Sequence, residues 1–137
     1  MSSDAPAAAP AAGACALIRE HHFQDVLHEV RVCGQIIAMK DSYMVWVGSA
    51  NASFTNLDVA MCSKLDSMPV TSTLMGSTTE GVGSSLSQRL AIKLKAQVFV
   101  SYNLPTSMPA LQEAVEKKLF EEVRTLQLAS QMQTLNT

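Results

Sequence analysis

The sequence predicts an α+β domain: a mostly antiparallel sheet of about five or six strands with two helices on one face and a partner subunit packed on the other. Segments 43–48 (YMVWVG) and 97–102 (QVFVSY) alternate as strands do, yet are apolar on both sides. Tyr43, Val45 and Val47 point one way and Met44 and Trp46 the other, while Val98, Val100 and Tyr102 oppose Phe99. Only two segments carry a convincing helical period, one through Leu86, Leu90 and Leu94 and one through Leu111, Val115, Leu119, Val123 and Leu126. Two helices are enough to cover one face of such a sheet. Leaving Met44, Trp46 and Phe99 in water would cost about 1.5–3 kcal/mol each. Either a facing sheet from a like-folded partner or a third helix over residues 16–28 can supply the missing layer.

Residues 1–14 (MSSDAPAAAPAAGA) read as a disordered Ala/Pro tail, too poor in large apolar side chains to order itself. A single domain is expected over 15–128. After a weakly patterned stretch, Val30 to Met39 reads as a half-buried strand with Gly34 as a candidate bulge. The turn Lys40-Asp41-Ser42 returns the chain into the Trp46 strand as a hairpin. Gly48 to Asn56 is a polar loop. Leu57 to Ser63 and Pro69 to Met75 are the next strands, with Pro69 at a first position where a missing N–H is tolerated. Gly76 to Gly83 is a flexible loop before a helix capped by Ser84 or Ser85 and running to about Lys95. The Phe99 strand follows and ends at Leu104-Pro105. Ser107 is a candidate N-cap and Pro109 fits the first turn of a long helix reaching about Leu128. Residues 129–137 are expected to fray.

The composition limits function. With 47% hydrophobic and 16% charged residues the chain should fold, and a net charge of −2 shows no bulk basic excess, which argues against nucleic acid or an anionic membrane as the partner. No apolar run approaches the roughly 18 residues of a membrane span. Cys15, Cys33 and Cys62 are odd in number and widely spaced, which suits a reducing compartment and neither a disulfide framework nor a zinc site. The start has an acid and no base before Arg19, unlike a signal or transit peptide.

No catalytic, cofactor-binding or metal-binding set emerges. His21 and His22 are adjacent and cannot share a strand face, and His28 lacks an evident partner. The loop Gly81-Val82-Gly83-Ser84-Ser85 precedes a helix as phosphate-binding turns do, but lacks the last glycine of G-x-G-x-x-G and the lysine of a P-loop. A small nucleotide-binding enzyme is the alternative that this loop leaves open. Cys62, in an apolar strand, is expected to pack in the core. The contact residues expected from strand geometry are Met44, Trp46 and Phe99. Arg89 and Lys93, with Ile92 displaced from the leucine stripe, form either a docking patch for an acidic surface or a solvated helix face. Phe120 is similarly displaced on the long helix.

Three segments taken in order are more specific: VWVG (Val45 to Gly48), LDVAMCSKLDSMPVTSTLMG (Leu57 to Gly76) and SQRLAIKLKAQVFVSYNL (Ser87 to Leu104). They closely resemble the proteasome assembly chaperone 4 family, with the likeness covering about Ile37 to Leu128. The resemblance implies a small α+β subunit, without enzymatic activity, that pairs with proteasome assembly chaperone 3. That heterodimer would help assemble the α-subunit ring of the 20S proteasome in the cytoplasm or nucleus and leave before maturation. A dimeric scaffold in another cytosolic assembly is the alternative of the same architecture.

Overall fold

The structure, a computed structural model, describes residues 18–50, 52–65, 67–76 and 81–135, with side chains described through 129. The Ala/Pro tail at 1–14 and residues 77–80 of the expected flexible loop lie outside the described residues. Strands β1 (Arg19–Leu27), β2 (Val30–Met39), β3 (Ser42–Gly48), β4 (Leu57–Met61) and β5 (Val70–Met75) precede helix α1 (Val82–Leu94); β6 (Gln97–Tyr102) and helix α2 (Pro109–Leu135) follow. The six strands form one sheet in the order β1-β2-β3-β6-β4-β5. Every pairing is antiparallel except that of β3 with β6, which is parallel, so the fold is the expected mostly antiparallel α+β sheet.

Among the described residues, no third helix covers the second face. Residues 19–27 of the segment weighed as that helix form β1, paired with β2 along its whole length. Its hairpin turns on His28 and Glu29, with φ of 49° and 67°, left-handed values that neither side chain favours. That turn carries no Asn-Gly or Gly signature, so nothing in the sequence marks a hairpin there.

Gly34 is not a bulge. The registers of β2 with β1 and with β3 run through it without interruption. Its role is close approach: a Cβ on Gly34 would stand 2.1 Å from Cζ of Phe23, whose ring lies across the β2 backbone and is 8% exposed. The turn between β2 and β3 is the pair Lys40-Asp41, with Asp41 at a φ of 64°, and Ser42 already belongs to β3.

Both helices pack on one face. Leu90 and Ala91 of α1 and Leu111, Leu119 and Val123 of α2 are fully buried against Ile36, Val45, Val47, Val98 and Val100 of the sheet. Tyr102 belongs to this layer; its hydroxyl is buried without a hydrogen-bond partner, and burial pushes its pKa up to about 12. The expected stripes are the buried ones. The helix boundaries differ from expectation. α1 starts at Val82, after Gly81 at a φ of 69°, with no side chain capping it, so Ser84 and Ser85 lie inside the helix. Ser84 instead donates from Oγ to Asp58 Oδ1 at 3.3 Å, and Thr73 donates to the same oxygen at 2.6 Å. This buried carboxylate lies so close to the start of α1 that a Cβ on Gly83 would sit 2.1 Å from Asp58 Oδ2. Pro109 opens α2, directly after Met108 rather than Ser107, and the helix continues past the expected end near Leu128 to Leu135.

Candidate partner-binding face

The sheet face away from the helices is built by register. Ile37 on β2 stands beside Met44 on β3, Met44 beside Phe99 on β6, and Phe99 beside Val59 on β4, an apolar row across four strands. Trp46 lies two residues along β3, next to Ser101. Met44, Trp46 and Phe99, expected together from strand alternation, therefore share one face. They are half-buried rather than bare. Trp46 donates from Nε1 to the Ser53 carbonyl at 3.0 Å and its ring lies so close to Gly48 that a Cβ there would be 2.5 Å from Cζ2. The loop after β3 thus anchors the indole from one end of the face, while no described helix covers the rest.

More exposed apolar side chains sit where the sequence reading did not look. Val70, Leu74, Met61 and Met75, on β4 and β5, are 43–55% exposed. Met61 stands opposite Val70 and Leu57 opposite Met75, which puts them on the same face as Val59. The alternation of Val70, Ser72 and Leu74 with threonines was the available signal, but it says nothing of which side the helices take.

Arg89, Ile92 and Lys93 are on α1, across the sheet from Met44, Trp46 and Phe99, and the structure does not gather them. Arg89 forms a two-point ion pair with Glu116 of α2, with Nη2 to Oε1 at 2.7 Å. One charge of the expected basic patch is therefore committed to the helix pair, at half-exposed geometry worth no more than about 1 kcal/mol. Lys93 lines a groove of about 680 Å³ with Glu113, Phe120 and Arg124, whereas Ile92 faces Cys62 and Pro69. Cys62 is just beyond β4 and exposed, with Sγ 3.5 Å from the Ala91 carbonyl, a correction to the core position expected of it. The shortness of β4 is the reason.

Behind the sheet, β1 is clamped to α2. His21 pairs with Glu122, and Lys118 reaches Glu122 at 3.0 Å and Asp25 at 3.6 Å. Burial works to raise the Glu122 carboxyl, but hydrogen bonds from His21 and Lys118 outweigh it and hold the pKa below its ordinary value. A carboxylate depressed in the folded protein contributes stability above its unfolded pKa and loses it as pH falls through the folded value. Lys118 is raised, chiefly by its hydrogen bond to Glu122, so its contribution is complete below the ordinary lysine pKa and is lost as pH rises through the raised one. Glu122→Gln is expected to cost about 1 kcal/mol at neutral pH and to flatten the acid limb of stability. Urea midpoints of parent and variant from about pH 3 to about pH 7 would show the two curves converging at the acid end. A constant gap would contradict the clamp.

No group of His, Cys, Asp and Glu side chains that could hold a metal ion occurs among the described residues, and no described helix is long and apolar enough to cross a membrane. At the start of α1, the place a phosphate would need, the Asp58 carboxylate is already present.

A profile of the family described as "Proteasome assembly chaperone 4" matches residues 31–104, which span β2 through β6. The chain belongs to the proteasome assembly chaperone 4 family. It is 42% identical to the human proteasome assembly chaperone 4 over 103 residues, covering 75% of this chain and 83% of the human protein. With the mouse proteasome assembly chaperone 4 it shares 40% identity over 114 residues, 83% of this chain and 92% of the mouse protein. Among solved structures, it is similar to a chain from a chaperone complex for yeast 20S proteasome assembly. The TM-score is 0.55 and the coverage 84% of this chain and 97% of that one, at 12% identity. At that identity the likeness speaks for the fold alone.

Proposed function

We propose that this chain is one subunit of a dimeric assembly chaperone, pairing through its open sheet face with proteasome assembly chaperone 3. The pair promotes construction of the α-subunit ring of the 20S proteasome and departs before maturation. The observation that carries this is the row Ile37, Met44, Phe99 and Val59, apolar across four strands with no described helix above it, in a chain of this family. A like-folded sheet laid on that row covers what the half-buried Ile37, Met44 and Phe99 still expose, each worth part of the roughly 1.5–3 kcal/mol of a fully exposed side chain, while Val59, 5% exposed, is already covered. No bond is made or broken. The pair acts by differential affinity, holding correct α-subunit neighbours and disfavouring wrong ones, and later subunits compete it away without nucleotide. A reducing compartment, cytoplasm or nucleus, suits a chain whose described cysteines, Cys33 and Cys62, are free.

The test is co-purification with proteasome assembly chaperone 3. The double variant Met44→Glu/Phe99→Glu should weaken pairing by at least about 100-fold, since each change puts an unpaired carboxylate into the apolar contact at a cost of about 1.4 kcal/mol or more. A matched thermal-unfolding midpoint would show that the fold is intact. Recovery of the partner at parental levels by such a folded variant would overturn the proposal. The parent chain should also recover α-ring precursors, and equal recovery of mature 20S particles would count against departure before maturation.

A further inference from the structure

The open face changes character from one edge to the other. At β1 it presents Glu20, His22 and Gln24, all exposed, and Arg31 follows on β2. Val26, 61% exposed beside Arg31, is a lone apolar side chain in that strip. Toward β5 the same face carries Val59, Met61, Val70, Ser72, Leu74 and Met75 and no charge at all. Interfaces that hold together exclude charge from their centre and keep it at the rim. By that measure the centre of this face is displaced from the middle of the sheet toward β4 and β5.

The register of β5 adds a second observation. Pairing steps from Asp58↔Thr73 to Leu57↔Met75, so Leu74 is an extra residue. Thr73 lies on the helix side, where it bonds Asp58, and Met75 lies opposite Leu57 on the open side. The bulge therefore turns two successive apolar side chains, Leu74 and Met75, to the open face, at 54% and 43% exposure. It also interrupts the outer ladder that an added edge strand would need. β5 is shaped to be covered from above and not to be extended sideways.

We propose that the partner's sheet is seated off-centre, over β6, β4 and β5, with Val70, Leu74 and Met75 inside the interface and β1 left in water. This rests on the pairing proposed above and specifies where on the face it happens. The occupant is an uncharged apolar sheet face of the partner subunit. The surface from β3 to β5 spans three interstrand gaps, roughly 14 Å, broader than the roughly 10 Å of a single helix. It continues without a charged residue from the Met44, Phe99 and Val59 row to Leu74.

The experiment measures binding of the full chain to purified proteasome assembly chaperone 3 by titration calorimetry. It compares Leu74→Lys, Gln24→Lys and the double variant Met44→Glu/Phe99→Glu, each first checked for a parental unfolding midpoint. Leu74→Lys is expected to weaken binding at least about tenfold and Gln24→Lys to leave it within about twofold. Amide exchange should slow in β4 and β5 on binding and stay unchanged in β1. If Leu74→Lys binds as the parent does while the double variant fails, the sheets are centred and the off-centre seating is wrong, although pairing through this face stands. Equal losses from Leu74→Lys and Gln24→Lys would also overturn it. If the double variant binds normally, or the parent does not bind, the pairing itself falls and the seating with it.

Discussion

Valine in place of Gly34 is expected to destabilise the protein by roughly 3 kcal/mol or more, a large part of the 5–15 kcal/mol that holds a domain together. Three ring atoms of Phe23 lie within 2.8 Å of the position a Cβ would take, so the ring must leave. Phe23 is the one buried residue of β1, and the Lys118 ammonium stands 5.8 Å from its ring centroid. Losing its seat forfeits that burial, and crowding adds strain of about 1–3 kcal/mol. Urea denaturation of Gly34→Val in the parent and in a Phe23→Ala background provides the check. The glycine substitution should cost much less once the ring is gone, and an equal cost in both backgrounds would contradict the explanation.

Leu119→Ala is the second large effect, expected to cost about 3–5 kcal/mol. Leu119 is completely buried at the middle of the α2 stripe, between Val115 and Val123, which are buried as well. Truncation leaves a cavity that helix and sheet can close only in part. The denaturant slope should stay near the parental value while the midpoint falls, because the native state remains compact. A midpoint loss of less than about 1 kcal/mol would mean that α2 repacks freely.

These two residues mark what the sequence made legible. The α2 stripe repeats every three to four residues over several turns, so Leu119 could be placed without a structure. The same holds for the alternation of β3 and β6, which put Met44, Trp46 and Phe99 on one face. Gly34 and β1 were not readable. A glycine in a strand suggests a bulge when its neighbour is unknown, and the ring that needs it comes from a segment with one buried apolar residue and a turn of two left-handed non-glycine residues. Strand order was also silent. That β6 pairs with β3 on one side and β4 on the other depends on contacts between distant segments, and with it goes the position of β5 at an edge. The exposure of Val70 and Leu74 follows from that position. Arg89 illustrates the same limit on a helix, since its partner Glu116 lies on another element and no local spacing announces it.

The place of β6 has a consequence for how the chain is made. During synthesis the meander of β1, β2 and β3 emerges first and the β4–β5 hairpin second, and neither has its inner neighbour. The strand that joins them is made after α1, at residues 97–102. Until then the nascent chain holds two half-sheets with open inner edges, each able to find a wrong mate. Only when β6 slots between them does one continuous sheet exist for the helices to close over. A protein whose relatives assist the assembly of others is thus itself exposed to mispairing on the ribosome, and a truncation before residue 97 should yield aggregating chains rather than a smaller folded unit.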